Sequence, residues 1–450
     1  MSATQPKRQM ALTMFLITAG YHYDSWRMEG SRAEEWGQLS LVADMAKKAE
    51  AAKLDALFLG DIASAGKVPG SDPTVSGHYE PISTLSALAA VTNRIGLIGT
   101  ASTTFLPPFA VARQFSGLDS LSGGRAGWNI VTSSTGERNF GFDTMPSGEE
   151  RYRMADEFVQ VATELWDSWS DDAVLNDRKN GVWADHKKIR ALNHRGEFFS
   201  VEGPINMPRS PQGRPVMVQA GSSEAGMTVG AKWADAIYTT QPHKAPAIEF
   251  YNAFKQRVAA AGRSPGHVKV IPGIVPIVAE TEKEAIELQN TLADHVNMDA
   301  GRRFVATRLE MDLSQFDLDD HIPESMFVGP KIESRSRYEV FRSLAVDKGY
   351  SIRELIVENA RGHGHHWVTG TPSKIADIMI DWFDSGACDG FNLNSPFVPG
   401  GQSLILDLLV PELQSRGYFR EEYEGATLRD HFGIPRPGAW DTQPNMSAAR

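Results

Sequence analysis

Short apolar runs alternate with stretches of helical periodicity along most of this chain, and no other feature constrains the fold as strongly. Such alternation is typical of repeated βα units, in which helices cover a sheet of parallel strands. Eight runs are predicted to be strands: Met10–Ile17, Leu54–Leu59, Ile95–Thr103, the apolar part of Gly124–Ser134, Val216–Ala220, Ala236–Thr240, Val268–Val278 and Gly390–Asn394. This number favours an α/β fold of the (β/α)8 (TIM) barrel type over an open parallel sheet.

The segments between these strands predict helices and two long insertions. The clearest helix follows Ser147, which has the spacing of a capping box with Glu150. Its apolar stripe is formed by Ala155, Phe158, Val159, Ala162, Leu165, Trp166 and Trp169. Further helices are expected over 372–386 and 403–415, and Pro272 is expected to interrupt the seventh strand. We interpret residues 170–213 and 281–367 as insertions into a single domain of residues 1–450, and hypothesise that 281–367 acts as a lid.

Charge and cysteine content narrow the class of protein. The 45 basic and 56 acidic side chains give a formal net charge of −11, which argues against nucleic acid as a partner. A single cysteine, Cys388, cannot form an internal disulfide or a cysteine-based metal site, and it is expected to be a buried apolar residue. The N-terminal residues do not resemble an export signal, and no apolar run is long enough to span a bilayer. A cytoplasmic protein without membrane contact is predicted.

The run GRAGWNIVTSS (Gly124–Ser134) predicts where a pocket lies. Its apolar part reads as a buried strand, but Asn129 and the residues Thr132, Ser133 and Ser134 place polar groups towards its carboxyl end. Buried parallel strands favour near-continuous aliphatic residues, whereas ligands of α/β proteins bind at the carboxyl ends of strands. The polar groups therefore indicate a binding site.

Six blocks, in order along the chain, resemble one enzyme family. They are LDALFLGD, GTASTTFLPPFAVARQFSGLDSLSGGRAGWNIVTSS, ERYRMADEF, RSPQGRPVMVQAGSSEAG, DGFNL and GYFREEYEGATLRDHFG. Together they resemble the bacterial-luciferase-like flavin monooxygenases, in particular the subgroup of nitrilotriacetate, EDTA and dibenzothiophene-sulfone monooxygenases. The resemblance extends from about Gln9 to Gly433.

This resemblance implies the oxygenase component of a two-component system. A separate NAD(P)H:FMN reductase would supply FMNH2, and a flavin C4a-(hydro)peroxide formed with O2 would oxidise a small organic or xenobiotic compound. Cleavage of a C–N or C–S bond is the outcome that the subgroup suggests. Relatives form dimers or tetramers, so a homodimer or homotetramer is expected.

The same resemblance suggests residues that contact FMN. Ser222 and Ser223 follow a strand and open a helix, a place suited to a phosphate, although a plain helix cap is the alternative. Tyr152 matches a tyrosine that contacts the FMN phosphate in relatives. Relatives commonly carry a histidine four residues earlier, where this chain has Gly148. A hydrogen bond to the flavin is therefore either lost or supplied by a neighbour such as Arg151 or Ser147. Asp61, Thr100 and Asn129 complete the cofactor-binding set: Asp61 and Thr100 match FMN-contacting positions, and Asn129 points to the same mouth by its place in the motif.

Histidines supply the candidate catalytic groups. His363 and His365 belong to the run RGHGHHW, and His22 follows the first strand. Donation of hydrogen bonds to the peroxide or the substrate is one interpretation, and solvated loop or core histidines are the other. A metal site is not expected, because the run lacks the ligand spacing of a zinc site.

The sequence leaves two alternative functions possible, and it does not decide whether the substrate pocket is cationic or aromatic. The first alternative function is a flavin- or deazaflavin-dependent reductase or dehydrogenase, and the second is a non-catalytic flavin-binding protein. A substrate with several carboxylates would require arginines, and an apolar aromatic substrate would require aromatic side chains. The arginine candidates are Arg27, Arg302, Arg303 and Arg361, and the aromatic candidates are Tyr21, Phe105, Phe304 and Trp367.

Overall fold

Parallel strands form a closed barrel in the computed structural model, which describes residues 8–64, 79–221, 223–329, 335–362 and 364–442. The strands are β1 (Ala11–Phe15), β2 (Ala56–Leu59), β3 (Gly96–Ser102), β4 (Ala126–Val131), β5 (Val174–Asp177), β6 (Val182–Ala184), β7 (His194–Arg195), β8 (Ser200–Val201), β9 (Val216–Ala220), β10 (Ala236–Thr239), β11 (Lys269–Val278), β12 (His366–Gly370) and β13 (Gly390–Leu393). Eight of them pair in the ring order β1-β2-β3-β4-β9-β10-β11-β13, and β13 closes the ring on β1. The predicted (β/α)8 barrel is confirmed.

Helices surround the barrel and build one of the two insertions. They are α1 (Leu39–Ala51), α2 (Pro81–Ala89), α3 (Pro108–Leu121), α4 (Gly148–Trp166), α5 (Glu224–Trp233), α6 (Lys244–Ala260), α7 (Glu282–Asp294), α8 (Met298–Leu309), α9 (Arg335–Val346), α10 (Ile352–Gly362), α11 (Pro372–Asp384), α12 (Gly400–Leu404), α13 (Val410–Ser415) and α14 (Leu428–Phe432). A π-helical stretch, Ile405–Leu409, joins α12 to α13, so the predicted closing helix is continuous but starts earlier. No helix in the described ranges has the length and apolar character needed to cross a membrane.

Three details of the sequence prediction were wrong. Strand β11 runs unbroken through Pro272, because a proline removes only one N–H donor from a ten-residue strand. Strand β12 was not predicted; it pairs with the second half of β11 as a ninth strand, from Ile274 opposite His366 to Val278 opposite Gly370. Helix α4 ends at Trp166, so Trp169 lies beyond the helix, although its side chain is buried. The rest of the predicted stripe is buried on α4, and Ser147 caps the helix.

The two predicted insertions have different structures. Residues 170–213 contain the short antiparallel pairs β5–β6 and β7–β8. Residues 281–367 contain α7 to α10, and α8, α9 and α10 share an apolar cluster of their own. Both segments lie outside the eight-stranded ring, and β12 begins at the end of the second one.

Helix α14 closes the amino-terminal end of the barrel. Leu428 and Phe432 pack among the first residues of several barrel strands, such as Ala56 and Val216. The close approach requires a glycine in β3, because a Cβ at Gly96 would lie 2.5 Å from Cδ1 of Leu428. With this end filled by side chains, the carboxyl ends of the strands form the only face at which the described barrel can receive a ligand.

Candidate active site

Two polar side chains on neighbouring strands are linked at the barrel mouth. Thr100 of β3 and Asn129 of β4 are partners in the strand register. The Thr100 hydroxyl donates to the carbonyl oxygen of Leu59 at 2.9 Å, and Nδ2 of Asn129 donates to Oγ1 of Thr100 at 2.8 Å. Both side chains are buried, and Oδ1 of Asn129 has no hydrogen-bond partner among the described residues. A buried carbonyl left in this way favours a ligand that donates a hydrogen bond.

Ser223 and Tyr152 meet at the amino terminus of α5. Ser223 is the helix cap, and its Oγ accepts from the N–H of Gly226 at 3.1 Å. The Tyr152 hydroxyl, which comes from α4, lies 3.1 Å from the same Oγ. A Cβ at Gly226 would lie 3.0 Å from Oγ of Ser223 and 3.2 Å from the Tyr152 hydroxyl oxygen. The glycine thus keeps a small polar cradle open beside the backbone N–H groups of a helix start, where an anion is stabilised.

Gln219 lies behind this polar cradle, on the face of β9 that packs against α5, where its amide is close to Gly226 and Gly230. It lies on β9, one residue pair away from Asn129, because β4 pairs Ile130 with Gln219. Its Nε2 donates to the carbonyl oxygen of Ala220 at 2.9 Å, and its Oε1 is buried without a hydrogen-bond partner in the described part of the chain. Gly221 follows with a φ of +149°, a backbone conformation that residues other than glycine rarely adopt.

Asp61 lies at the edge of the mouth. It follows β2 and is exposed, in contrast to Thr100 and Asn129. Partial removal from water raises the pKa of Asp61, and the nearby carboxylate of Glu80 raises it further. The side chain is therefore accessible to a ligand at the rim.

His365 lies at the mouth in an aromatic setting. Its Nε2 is 3.0 Å from the Tyr238 hydroxyl and 3.4 Å from Oγ1 of Thr240. The Tyr21 ring meets the imidazole edge-on, with 5.6 Å between ring centroids. The Tyr238 ring also packs on Phe58 of β2, at 5.4 Å. His365 is thus the candidate catalytic histidine that the structure places over the barrel opening.

His22 occupies a different environment. It is fully buried, and neither ring nitrogen has a hydrogen-bond partner within the residues described. Burial, together with the nearby charges of Arg361 and His295, lowers the pKa of His22 to about 4. The ring is neutral at physiological pH and lies between the loop after β1 and the insertion that contains α7 to α10.

The other candidates from the histidine-rich run do not join His365 at the mouth in the part of the chain that the structure describes. His363 and Ser222 lie outside the described residues. His366 turns away from His365, since its Nδ1 lies 3.0 Å from the carbonyl oxygen of Pro242 and its ring stacks on Trp382 at 4.8 Å. The described residues contain no group of three histidine, cysteine or acidic side chains that could hold a metal ion.

The two replacements suggested for the missing histidine at Gly148 have other partners. Oγ of Ser147 accepts from the N–H of Glu150 at 3.2 Å, and Nη1 of Arg151 donates to the carbonyl oxygen of Pro146 at 2.8 Å. Both side chains stabilise the start of α4, and neither bond is directed at the Tyr152–Ser223 cradle.

Most of the arginines proposed for a cationic pocket bind protein groups. Arg302 donates to the carbonyl oxygen of Phe316 at 2.6 Å, and Arg27 donates to that of His295 at 2.6 Å. Arg303 is exposed on α8. Nη1 of Arg361 lies 3.8 Å from Oε2 of Glu358 on the same helix, and the guanidinium is also 5.9 Å from the Trp367 ring centre and near His22.

The aromatic candidates occupy three places. Tyr21 lines the mouth beside His365, whereas Phe105 stacks on Phe140 at 4.6 Å, beyond β3. Phe304 packs on Tyr23 at 5.3 Å and so joins the insertion to the loop after β1. The side chains around His365 at the mouth are therefore aromatic.

Sequence reasoning missed several residues of the mouth. Phe15 stacks on Phe58 at 5.5 Å, and Tyr238 completes this aromatic floor. A polar chain links the neighbouring strands β1 and β13: Thr13 donates to Oδ1 of Asn392 at 2.7 Å, and Nδ2 of Asn392 donates to Oδ1 of Asn394 at 2.9 Å. The amides in the predicted strand Gly390–Asn394 were a signal for these polar contacts, because amides are unusual in a buried strand.

The chain is similar to a family of monooxygenases over most of its length. Residues 14–387 match the family described as luciferase-like monooxygenases. The chain is 43% identical to the N-acetyl-S-(2-succino)cysteine monooxygenase of Bacillus subtilis (strain 168), over 96% of this chain and 98% of that protein. It is 41% identical to the nitrilotriacetate monooxygenase component A of Aminobacter aminovorans, over 96% of this chain and 97% of that protein.

Solved structures give the same result for the fold. The crystal structure of a riboflavin lyase with modified FMN and substrate riboflavin superposes with a TM-score of 0.83 at 28% identity. This match covers 95% of the chain and 96% of that structure, so the insertions are included in the likeness.

Proposed function

This chain belongs to the luciferase-like monooxygenase family, and from that premise we propose that it uses reduced FMN and O2 to oxidise a small organic compound. A separate NAD(P)H:FMN reductase supplies the reduced flavin. The name "component A" of one relative supports a system of two proteins. Bound reduced FMN would supply two electrons, so that one oxygen atom enters the substrate and the other leaves as water while the flavin leaves oxidised.

The cradle at the start of α5 carries this proposal. A phosphate dianion needs hydrogen-bond donors and a positive potential, and the hydroxyls of Ser223 and Tyr152 lie 3.1 Å apart beside a helix amino terminus. Because Gly226 has no Cβ beside these two hydroxyls, a phosphate oxygen can approach them without a clash with the helix. The riboflavin lyase structure with modified FMN supports the choice of this flavin.

Other residues of the mouth fit the remainder of the flavin. Oδ1 of Asn129 is a buried acceptor without a partner in the described ranges, and a flavin ring offers N–H donors to such a group. Thr100 fixes the Asn129 amide through its hydroxyl. Phe15 and Phe58 form an apolar floor that excludes water from the mouth.

We further propose that the substrate is a small carboxylate with a C–N or C–S bond that is cleaved. The two relatives above are named for N-acetyl-S-(2-succino)cysteine and nitrilotriacetate, both of which are carboxylates with such bonds. Arg361, which lies beside Trp367 and is paired with Glu358 at 3.8 Å, is the cation that we propose for a carboxylate of the substrate.

Oxygen consumption tests the proposed function. The purified chain is supplied with FMN, NADH and an unrelated flavin reductase, and nitrilotriacetate, N-acetyl-S-(2-succino)cysteine and an aromatic sulfone are added in turn while peroxide is trapped. Loss of one compound in step with oxygen uptake is expected. Hydride transfer to a substrate under anaerobic conditions would instead favour a reductase, and binding of reduced FMN without oxidation of any compound would favour a flavin-binding protein.

A further inference from the structure

Tyr238 is held rigidly beneath the mouth by ring packing. It belongs to β10, and its ring centroid lies 5.4 Å from that of Phe58 and 6.4 Å from that of Phe15. Its hydroxyl reaches Nε2 of His365, which is 127 residues away in the sequence, at 3.0 Å. The tyrosine is thus oriented by the barrel strands, whereas the histidine precedes β12 in a segment that joins the insertion to the barrel.

Gly273 provides the room in which the two side chains meet. A Cβ at this position would lie 2.4 Å from Nδ1 of His365 and 2.8 Å from the Tyr238 hydroxyl oxygen, closer than real Cβ atoms approach other atoms. Gly273 lies on β11 opposite Asn392, and the next residue, Ile274, is opposite His366. Strand pairing therefore fixes the histidine directly over a position that only glycine leaves open.

We propose that Tyr238 is a positioning residue for His365 and that Gly273 makes this positioning possible. The inference rests on the proposed oxygenase function, in which His365 holds a proton at the mouth. A tyrosine hydroxyl donates to the Nε2 of a neutral imidazole and accepts from the Nε2–H of a protonated one. Tyr238 therefore keeps the ring in one orientation before and after the proton moves, which is the arrangement that acid–base catalysis by histidine requires.

The tautomer of His365 is the first readout. The flavin-free protein is labelled with ¹⁵N-histidine, and the His365 signals are assigned by their loss in His365→Gln. We expect one dominant tautomer in the wild type and a mixture in Tyr238→Phe, which keeps the packed ring but lacks the hydroxyl. The matched control is Tyr418→Phe, which removes the 2.7 Å hydrogen bond to Asp384 far from the mouth.

Coupling of oxygen uptake to product is the second readout. In the reconstituted system, Tyr238→Phe is expected to lower coupled turnover by about 10- to 100-fold, the effect of losing an orienting partner of a functional histidine, with more peroxide and unchanged affinity for reduced FMN. Gly273→Ala is expected to have the same effect, and Tyr238→Phe decides alone if that variant does not fold. An unchanged tautomer, an equal change in Tyr418→Phe, or unchanged coupling with a changed tautomer each overturns the proposal. The proposed function fails separately, when no compound is oxidised by the wild type.

Discussion

Replacement of Ser223 by alanine separates two effects of one hydroxyl. As the cap of α5, the hydroxyl accepts from the N–H of Gly226, and removal of such a cap costs about 1 kcal/mol of folding free energy. As a donor to a phosphate dianion, it makes a hydrogen bond to a charged group, for which about 1.5–3 kcal/mol is typical. We therefore expect a small loss of stability together with a 10- to 100-fold increase, in order of magnitude, in the Kd for reduced FMN.

Two flavins and one control variant identify the source of the effect. Anaerobic titrations of tryptophan fluorescence are made with reduced FMN and with reduced riboflavin, which lacks the phosphate. Ser223→Ala should weaken binding of FMN but not of riboflavin. Thr281→Ala removes the cap of α7 in the insertion and should lower stability by a similar amount without an effect on either flavin.

A double-mutant cycle adds a test of geometry. Because the Tyr152 hydroxyl lies 3.1 Å from Oγ of Ser223, the two are expected to act on the same phosphate, so the loss in Ser223→Ala/Tyr152→Phe should differ from the sum of the single losses. Equal weakening of FMN and riboflavin by Ser223→Ala, or no weakening of either, would refute the assignment of this cradle to the phosphate.

Three further predictions concern stability and reactivity. Burial raises the pKa of the Cys388 thiol, so a maleimide should label it only after unfolding, as mass spectrometry can show. In urea unfolding, Gly96→Ala should lower the free energy of unfolding by about 1–3 kcal/mol, because its Cβ would clash with Leu428. The matched variant Gly117→Ala on α3 has open space around its Cβ and should raise the free energy of unfolding by up to about 1 kcal/mol. The pKa of His22 is lowered from 6.5 to about 4, so the neutral ring's contribution to stability is present above pH 6.5 and is lost as the pH falls towards 4. Between these two pH values, the free energy of unfolding of His22→Phe should fall by about 3 kcal/mol less than that of the wild type.

The barrel was predictable because its strands are buried on both faces. Such strands need continuous apolar residues, and runs such as VMVQA and LDALFL meet this requirement. Strand β12 failed the same criterion: its sequence HWVTG is half polar, and it pairs only with the second half of β11. Its existence depends on the unusual length of β11, which is a tertiary property that the local pattern of residues 366–370 does not contain.

The Tyr152–Ser223 cradle, which we propose binds the FMN phosphate, was predictable only in part. The strand–turn–helix context of Ser223 indicates an anion site by itself, but the role of Tyr152 came from the resemblance, and its contact with Ser223 depends on the packing of α4 against α5. The importance of Gly226 had no signal in the sequence. A glycine inside a helix is ordinarily a weak helix former, and its value here is the space between two hydroxyls from different helices.

The spacing of the histidines in the sequence could not distinguish between the candidate catalytic groups. His22 and His365 were equal candidates, since each lies near aromatic residues in the sequence. In the fold, burial keeps His22 neutral between the loop after β1 and the insertion, and no described side chain orients its ring by a hydrogen bond. His365 is oriented by Tyr238 and placed over Gly273, a combination that requires the register of β11 with β12. A proton carrier must be held in one orientation at the point of reaction, so the structural argument for catalysis applies to His365, and His22 is better explained by the joining of the insertion to the barrel.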